Sequence, residues 1–231
     1  MKKAIIICSG GLDSVVTAHY VFKTLKYKKL KVLFFSYGQK SLSSERKAAK
    51  LCARKLNSEF YEINLKELGE MSNSLINKPG KIKTIKNKDL KDTSNESKKY
   101  YVPCRNTIFL IYALALAESE YVKNKSVNDI FVGFKCEGRE SYPDTTKEFV
   151  MEMNKLAKIG CHKNFKIKAP LINKDKEDII LLGKKLDVKL EETFSCYVGK
   201  DKHCGKCLAC KLRQAGFYWA GVPDKTRYLT S

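Results

Sequence analysis

The sequence predicts an α/β protein built on a doubly wound parallel sheet. Three observations support this fold class: apolar runs too short to be helices, segments of helical periodicity between them, and a glycine pair where the first apolar run ends. Strands of a parallel sheet appear as continuous apolar runs because helices cover both of its faces. The alternation of strand and helix therefore favours parallel strands joined by helical crossovers.

The amino-terminal elements follow in regular order. The apolar run 3–8 ends at Ser9-Gly10-Gly11 and predicts the first buried strand. After it we predict a helix at 13–25, a strand at 31–36, a helix at 44–56 and a strand at 59–63. Residues 64–99 are polar and charged, and they form too long a segment for an ordinary connection. They predict a lid-like insertion near residues 64–100.

Periodicity returns in the second half of the chain. We predict a helix at 106–118 with Asn106 as its N-cap, a strand at 129–133, helices at 144–157 and 175–186, and a last strand at 166–169 before Pro170. Because the pattern changes after the last helix, we predict a nucleotide-binding domain over residues 1–190. A small module packed on it would cover residues 191–231.

Composition limits the classes of protein to which the chain can belong. A chain of 231 residues with 43% hydrophobic content can bury a core without disulfides or metal ions to stabilise it. Nothing resembles a signal peptide or the ~18 to 20 apolar residues of a membrane helix, so we expect a cytoplasmic protein without a membrane partner. The nine cysteines are odd in number, and four of them cluster near the carboxyl end. They indicate reduced thiols, some of them bound to metal.

The formal net charge of +20 has two interpretations. It is typical of proteins that bind nucleic acid, and it is also typical of a solvated surface rich in lysine. The lysines are scattered along the chain and are not condensed into one block with interleaved aromatic residues. This distribution favours the solvated surface, and we do not predict a nucleic-acid partner.

The loop from Ser9 to Ser14, here called the ATP loop, lies where the first strand leads into a helix. Its two glycines allow close backbone approach to phosphate oxygens at a helix amino terminus, and its serines add hydroxyl donors. Asp13 would repel phosphates unless a Mg²⁺ ion lay between them. No Gly-Lys-Ser/Thr follows, so it is not a Walker loop. The predicted ATP-binding residues here are Cys8, Ser9, Gly10, Gly11, Leu12, Asp13, Ser14 and Val15.

Cys196, Cys204, Cys207 and Cys210 form a C-x7-C-x2-C-x2-C array. The two short spacings allow four thiolates to converge on one tetrahedral Zn²⁺, and a shell closed by four ligands indicates a structural ion. His203 is a competing ligand, and an iron-sulfur cluster is an alternative. The other cysteines, Cys8, Cys52, Cys104, Cys136 and Cys161, are interpreted as packing residues.

The ATP loop resembles the SGGxDS loop of the PP-loop ATP pyrophosphatases, which have the adenine nucleotide alpha-hydrolase-like fold. This resemblance implies cleavage of ATP between its α and β phosphates and adenylation of a carboxylate or carbonyl oxygen. Further blocks resemble one family, 7-cyano-7-deazaguanine synthase of queuosine and archaeosine biosynthesis. The blocks are Tyr37-Gly38-Gln39, residues 102–106, Tyr142-Pro143-Asp144, Pro170-Leu171 with Lys176, residues 193–197, residues 204–210, Leu212-Arg213 and Gly216.

The family resemblance implies an ATP-dependent ligase that activates 7-carboxy-7-deazaguanine as an acyl-adenylate. Ammonia then gives an amide, and a second ATP leads to the nitrile base preQ0. No glutaminase segment is evident, so we expect free ammonia as the nitrogen donor. The resemblance also implies a homodimer.

Several residues are candidates for roles in this reaction. Arg105 and Lys176 would supply positive charge for the developing anion, and the alternative for each is an exposed cation at a helix start. Tyr37 would flank the adenine, although a buried tyrosine at a strand end has the same pattern. Candidate substrate contacts are Glu137, Glu140, Tyr142 and Asp144.

One block departs from the family pattern and keeps alternatives open. The usual Ser-Gly-Tyr-Pro-Asp-Cys-Arg becomes Glu-Ser-Tyr-Pro-Asp-Thr-Thr at 140–146. This departure is compatible with an archaeal-like branch or with a paralogue that passes the activated base to another acceptor. A tRNA-modifying PP-loop enzyme would need an RNA-binding appendage, which is not evident. A zinc-ribbon binding module with a degenerate nucleotide fold would need a broken ATP loop, and the loop is intact.

Overall fold

The computed structural model describes residues 2–82, 84–85, 90, 92–135 and 142–229. Five parallel strands form one sheet in the order β3-β2-β1-β4-β5. They are β1 (Lys3–Ile7), β2 (Lys29–Ser36), β3 (Glu59–Asn64), β4 (Asn128–Val132) and β5 (Ile167–Lys168). The predicted parallel doubly wound sheet is confirmed, although the last strand has only two residues.

Helices cover both faces of the sheet. They are α1 (Leu12–Lys23), α2 (Leu42–Lys55), α3 (Lys66–Met71), α4 (Ser94–Lys98), α5 (Arg105–Asn124), α6 (Lys147–Gly160), α7 (Lys176–Lys185) and α8 (Leu208–Trp219). Alternate residues of β1 point to different cores: Ile5 packs with the buried residues of α5 and α6, and Ile6 packs with those of α1, α2 and α7. Such two-sided burial explains why the strands are continuously apolar.

Strand order reverses at β1. β2 and β3 lie on one side of it, and β4 and β5 lie on the other. Where the connections that leave two neighbouring strands run in opposite directions, a crevice opens at the carboxyl ends of those strands. This crevice is the usual ligand site of an open α/β sheet. The ATP loop follows β1 directly, so it lies at this crevice.

The predicted N-cap of α5 is wrong. The helix begins at Arg105, one residue before Asn106, and it follows Cys104 in a left-handed turn with φ 53°. The backbone N–H of Asn106 donates to Asp144 Oδ2 at 3.1 Å. A carboxylate distant in sequence therefore satisfies an end of the helix that a local side chain was expected to cap.

The described part of the segment near 64–100 contains structure that the polar pattern did not indicate. α3 and α4 lie within it, Leu68 and Ile76 are buried, and the N–H of Leu75 donates to the Lys99 carbonyl at 2.8 Å. Its role as a lid and the division of the chain at residue 190 stay predictions. In the described ranges, no helix combines the length and apolar character needed to cross a membrane.

Candidate active site

A cavity of about 310 Å³ opens at the carboxyl ends of β1 and β4. Most of the ATP loop forms one wall, and aromatic residues of β2 and α5 form another. The predicted residues that line it are Cys8, Ser9, Gly11, Leu12, Asp13, Ser14, Tyr37, Arg105, Tyr142 and Lys176. The fold thus brings most of the sequence-predicted residues into one space. Gly10 and Val15 are not among the described lining residues.

Two glycines allow the backbone of the ATP loop to lie close to the neighbouring backbone. Gly10 has φ +79°, and a Cβ there would lie 2.5 Å from the Glu45 carbonyl oxygen. A Cβ on Gly133, which follows β4, would lie 2.9 Å from the backbone nitrogen of Ser14. The Ser14 hydroxyl donates to the Gly11 carbonyl at 3.0 Å. The loop is therefore a tight cradle at the start of α1, a geometry suited to phosphate oxygens.

Asp13 and Lys176 meet inside this cavity. Lys176 Nζ lies 2.7 Å from both carboxylate oxygens of Asp13. The two side chains are 13% and 25% exposed, so the pair is shielded from solvent. The stem of Lys176 packs on Gly216 of α8, where a Cβ would lie 2.3 Å from Lys176 Cγ. The ammonium group is thereby held beside the ATP loop.

Arg105 lies beneath an aromatic wall. Its Nη1 donates to the Tyr37 hydroxyl at 3.3 Å, and its guanidinium carbon is 5.8 Å from the Tyr37 ring centre. The Phe109 ring packs edge-on against Tyr37 and stacks on Phe35 at 4.0 Å. Although burial opposes it, the interaction with Tyr37 and then the charge of Asp144 hold the pKa of Arg105 above its ordinary value. Arg105 therefore stays a fixed cation.

Glu45 is a cavity residue that the sequence reasoning missed. Its carboxylate accepts hydrogen bonds from Ser41 Oγ at 2.5 Å and Gln39 Nε2 at 3.0 Å. Burial raises its pKa. The Tyr37-Gly38-Gln39 block just before α2 was the available signal, because it brings Gln39 to the first turn of that helix.

The candidate substrate residues separate into three groups. Glu137 and Glu140 lie outside the described residues. Tyr142 lines the cavity, donates to the Ser97 carbonyl at 3.1 Å and stacks on Tyr101 with ring centres 5.7 Å apart. Asp144 is buried and is not among the described residues that line the cavity. Its carboxylate accepts the Asn106 N–H, so it supports the start of α5.

One part of the departure from the family pattern at 140–146, the threonine at position 146, has a local structural reason. Thr146 precedes α6, and its hydroxyl accepts the Phe149 N–H at 3.0 Å. Thr145 lines the cavity, and its hydroxyl donates to the Tyr142 carbonyl at 2.9 Å. Thr146 thus serves as the N-cap of a helix, while Thr145 replaces a different side chain at the cavity wall.

The four predicted metal ligands converge. The sulfur atoms of Cys196, Cys204, Cys207 and Cys210 all lie within 4.8 Å of one another. The Cys196–Cys207 and Cys204–Cys210 sulfur pairs are each 3.9 Å apart. Backbone N–H groups point at the sulfurs, such as Gly199 N to Cys196 Sγ at 3.0 Å. Neighbouring thiols also lower the pKa of Cys204 by hydrogen bonding. The cluster could hold one metal ion.

His203 does not join this cluster. Its Nε2 accepts the Ser195 N–H at 3.1 Å, and the described metal-binding group consists of the four cysteines alone. Among the other cysteines, Cys8 and Cys52 are buried as predicted. Cys104 is exposed, which contradicts its assignment as a packing residue, because it occupies the turn before α5. Cys161 is half-buried, and Cys136 lies outside the described residues.

Two more missed residues join the cysteine cluster to the ATP loop. The N–H of Leu12 donates to Ser195 Oγ at 3.3 Å, and Arg213 Nη1 donates to the same oxygen at 3.2 Å. Next to them, the Phe194 N–H donates to the Gly10 carbonyl at 2.8 Å. Their signal was position, since Ser195 directly precedes the first cysteine of the cluster and Arg213 follows the last by three residues.

Comparisons with known proteins agree with this geometry. The family model described as "Queuosine biosynthesis protein QueC" matches residues 3–221. A 7-cyano-7-deazaguanine synthase from Methanosphaera stadtmanae is 38% identical over 229 residues, covering 98% of each chain. One from Nitratiruptor sp. is 38% identical over 237 residues, again covering 98% of each.

Among solved structures, the chain is similar to a 4-thiouridine synthetase in a complex with RNA and bound ATP. The TM-score is 0.50 at 16% identity, covering 98% of this chain and 47% of the other. At this identity the likeness concerns the fold, and it supports the predicted PP-loop architecture.

Proposed function

Because the chain belongs to the QueC family of queuosine biosynthesis proteins, we propose that it makes 7-cyano-7-deazaguanine from 7-carboxy-7-deazaguanine and ammonia, using ATP. The enzyme would be an ATP-dependent carbon-nitrogen ligase. The observation that carries the proposal is one cavity in which the ATP loop, the Asp13–Lys176 pair and Arg105 meet beneath an aromatic wall. Such a cavity suits the activation of a carboxylate on a flat heterocyclic ring.

In the first half-reaction, a carboxylate oxygen of the acid attacks the α phosphorus of ATP, and pyrophosphate leaves. The ATP loop cradles the phosphates through backbone and serine donors. Lys176 and Arg105 supply fixed positive charge as negative charge develops on the departing pyrophosphate. Ammonia then attacks the acyl carbon, AMP leaves, and the product is the amide.

In the second half-reaction, the amide oxygen attacks the α phosphorus of another ATP, and pyrophosphate leaves. Loss of AMP and of both amide protons then leaves the carbon-nitrogen triple bond. Both activated species react with water, so the cavity must exclude it. The stacked Phe35 and Phe109 rings and Tyr142, which stacks on Tyr101, form the parts of the wall that would keep water away.

Two kinds of metal ion fit residues of this chain. Asp13 is the carboxylate that would hold Mg²⁺ near the phosphates, where the ion neutralises charge. Lys176 also neutralises this carboxylate. The four cysteines would hold Zn²⁺: bonds of about 2.3 Å in a tetrahedron require sulfur atoms about 3.8 Å apart. The two 3.9 Å sulfur pairs fit that requirement.

The finer properties of the protein follow the family. We propose that it acts in the cytoplasm as a homodimer and takes free ammonia. The alternative is a divergent enzyme that transfers the activated deazaguanine to another acceptor, and the observation behind it is Thr145 in the cavity wall.

The test is a product assay. Purified protein is incubated with ATP, Mg²⁺, ammonium and 7-carboxy-7-deazaguanine, and acid, amide and nitrile are measured by mass spectrometry. We expect nitrile with two AMP released per nitrile, and no response when glutamine replaces ammonium. Accumulation of amide or adenylate would support the divergent enzyme. AMP release that depends on RNA, with no acid consumed, would refute the proposal.

A further inference from the structure

The Ser195 hydroxyl lies in the cavity wall beside the ATP loop. Two N–H groups donate to its oxygen: the Leu12 backbone amide at 3.3 Å and Arg213 Nη1 at 3.2 Å. They come from different directions, one from the first turn of α1 and the other from the middle of α8. The backbone N–H of Ser195 is also engaged, because it donates to His203 Nε2.

A serine hydroxyl has one hydrogen to donate and two lone pairs that accept. At Ser195 both lone pairs are taken by N–H donors, so the hydroxyl hydrogen must point in a third direction. Ser195, Leu12 and Arg213 all line the cavity, so an acceptor there is available to this hydrogen. The two contacts to its oxygen thus leave the Ser195 hydroxyl free to donate toward the space beside the ATP loop.

Arg213 adds a buried positive charge behind this donor. The residue is 1% exposed and lines the same cavity. Its hydrogen bonds to described residues go to four uncharged oxygens, those of Leu190 O, Thr193 Oγ1, Ser195 Oγ and Thr226 Oγ1. Burial lowers its pKa, although Tyr228 and the carboxylates of Asp224 and Asp13 act against this shift. A buried cation whose hydrogen-bond partners are neutral is costly, and an anion in the cavity offsets that cost.

We propose that Ser195 donates a hydrogen bond to a phosphate oxygen of ATP and that Arg213 orients this hydroxyl and supplies charge behind it. Ser195 thereby joins Ser9 and Ser14, which line the same cavity, at the phosphate site. Its contact with Leu12, within the ATP loop, favours the phosphates over the carboxylate of the acid. The proposal rests on the proposed use of ATP by this chain.

The test compares ATP with adenosine in direct binding experiments that contain neither the acid nor ammonium. For Ser195→Ala we expect ATP to bind about 10- to 100-fold more weakly, the effect of one hydrogen bond to a charged group. Adenosine, measured by competition, should bind within about twofold of wild type because it lacks phosphates. Ser195→Thr keeps the hydroxyl and should retain most of the ATP affinity.

Thr193→Val is the matched control. Thr193 also accepts a hydrogen bond from Arg213, at 2.8 Å, but it is not among the described residues that line the cavity. Loss of the Thr193 hydroxyl in this variant should leave the ratio of ATP affinity to adenosine affinity near that of wild type. Folding is checked by far-ultraviolet circular dichroism, and Ser195→Gly, which also lacks the hydroxyl, replaces the alanine variant if that variant does not fold.

The outcomes separate this inference from the proposed function. Unchanged ATP affinity in the hydroxyl-free variant would overturn the role of Ser195, even if wild type makes the nitrile. An equal loss for ATP and adenosine would also overturn it, because the residue would then act only through the shape of the loop. A wild-type chain that binds ATP through Ser195 but makes no nitrile would refute the proposed reaction alone.

Discussion

Gly10 and Gly11 are adjacent in the ATP loop, yet we expect alanine to have different effects at the two positions. At Gly10 it should lower the stability of the fold, and at Gly11 it should weaken ATP binding. At Gly10 the backbone has φ +79°, and a Cβ would lie 2.5 Å from the Glu45 carbonyl oxygen and 2.9 Å from the Ala49 nitrogen. These are backbone atoms of α2, which cannot rotate away. The left-handed conformation costs alanine about 1–2 kcal/mol, and overpacking adds about 1–3 kcal/mol. Gly10→Ala should therefore lower the free energy of unfolding by about 2–5 kcal/mol.

Gly11 has an ordinary extended backbone, with φ −70° and ψ 162°. The nearest atom to an added Cβ is Ser9 Oγ at 3.2 Å, the end of a side chain that can rotate. Gly11→Ala should change the free energy of unfolding by less than about 0.5 kcal/mol. Gly11 lines the cavity, however, so its new methyl group would hold phosphate oxygens away. We expect at least about tenfold weaker ATP binding.

Urea unfolding, followed by circular dichroism, measures the first quantity, and calorimetric titration with ATP and Mg²⁺ measures the second. Each variant serves as the control for the other. The reasoning is refuted if the free energy of unfolding of Gly10→Ala is within about 1 kcal/mol of that of wild type. It is also refuted if Gly11→Ala loses as much stability as is expected for Gly10→Ala and still binds ATP normally.

Three further predictions test other parts of the site. Asp13→Asn should abolish pyrophosphate release and leave the metal content of the cysteine cluster unchanged; turnover in this variant would contradict a Mg²⁺ role for Asp13. Cys207→Ser should lose the bound metal and expose the segment after residue 194 to limited proteolysis, because structural zinc contributes ~10 kcal/mol or more to folding; protease resistance without metal would contradict this. Burial, with the charges of Lys23 and Lys55, lowers the pKa of His19 from 6.5 to about 4. The unfolded chain then binds the extra proton between these values, so stability falls by up to ~3 kcal/mol as the pH drops through that range. Unfolding in urea at pH 7 and pH 4 should show this loss in wild type and less of it in His19→Gln; equal losses would exclude His19 as the cause.

The parts of the fold that the sequence predicted well are those determined locally. An apolar run stopped by glycines predicted a strand at 3–8, and β1 covers Lys3–Ile7. The cysteine spacing predicted a metal-binding cluster, because ligands three residues apart converge whatever surrounds them. The ATP loop could be recognised from the strand before it and the helix after it.

The errors and omissions concern partners that are distant in sequence. Asn106 has the residue type of a helix cap, but the group that satisfies its N–H comes from Asp144, 38 positions away. The contact between Leu12 and Ser195 spans 183 positions. Neither pairing leaves a periodic or motif signal in a single sequence, so only the folded chain reveals that Asp144 supports α5 and that Ser195 supports the ATP loop.

These distant contacts also connect the two signals that the sequence presents separately. The Phe194 N–H donates to the Gly10 carbonyl, the Ser195 hydroxyl accepts from Leu12, and the next residue is Cys196, the first cysteine of the cluster. A metal ion on Cys196 would therefore fix the position of the two preceding residues, Phe194 and Ser195, which support the ATP loop by these hydrogen bonds. Loss of the metal should loosen ATP binding, whereas disruption of the loop at Gly10 leaves the four cysteines with their own short spacing and their N–H donors. The coupling between the two sites must then be reciprocal: bound ATP should tighten metal binding by the same factor by which the metal tightens ATP binding.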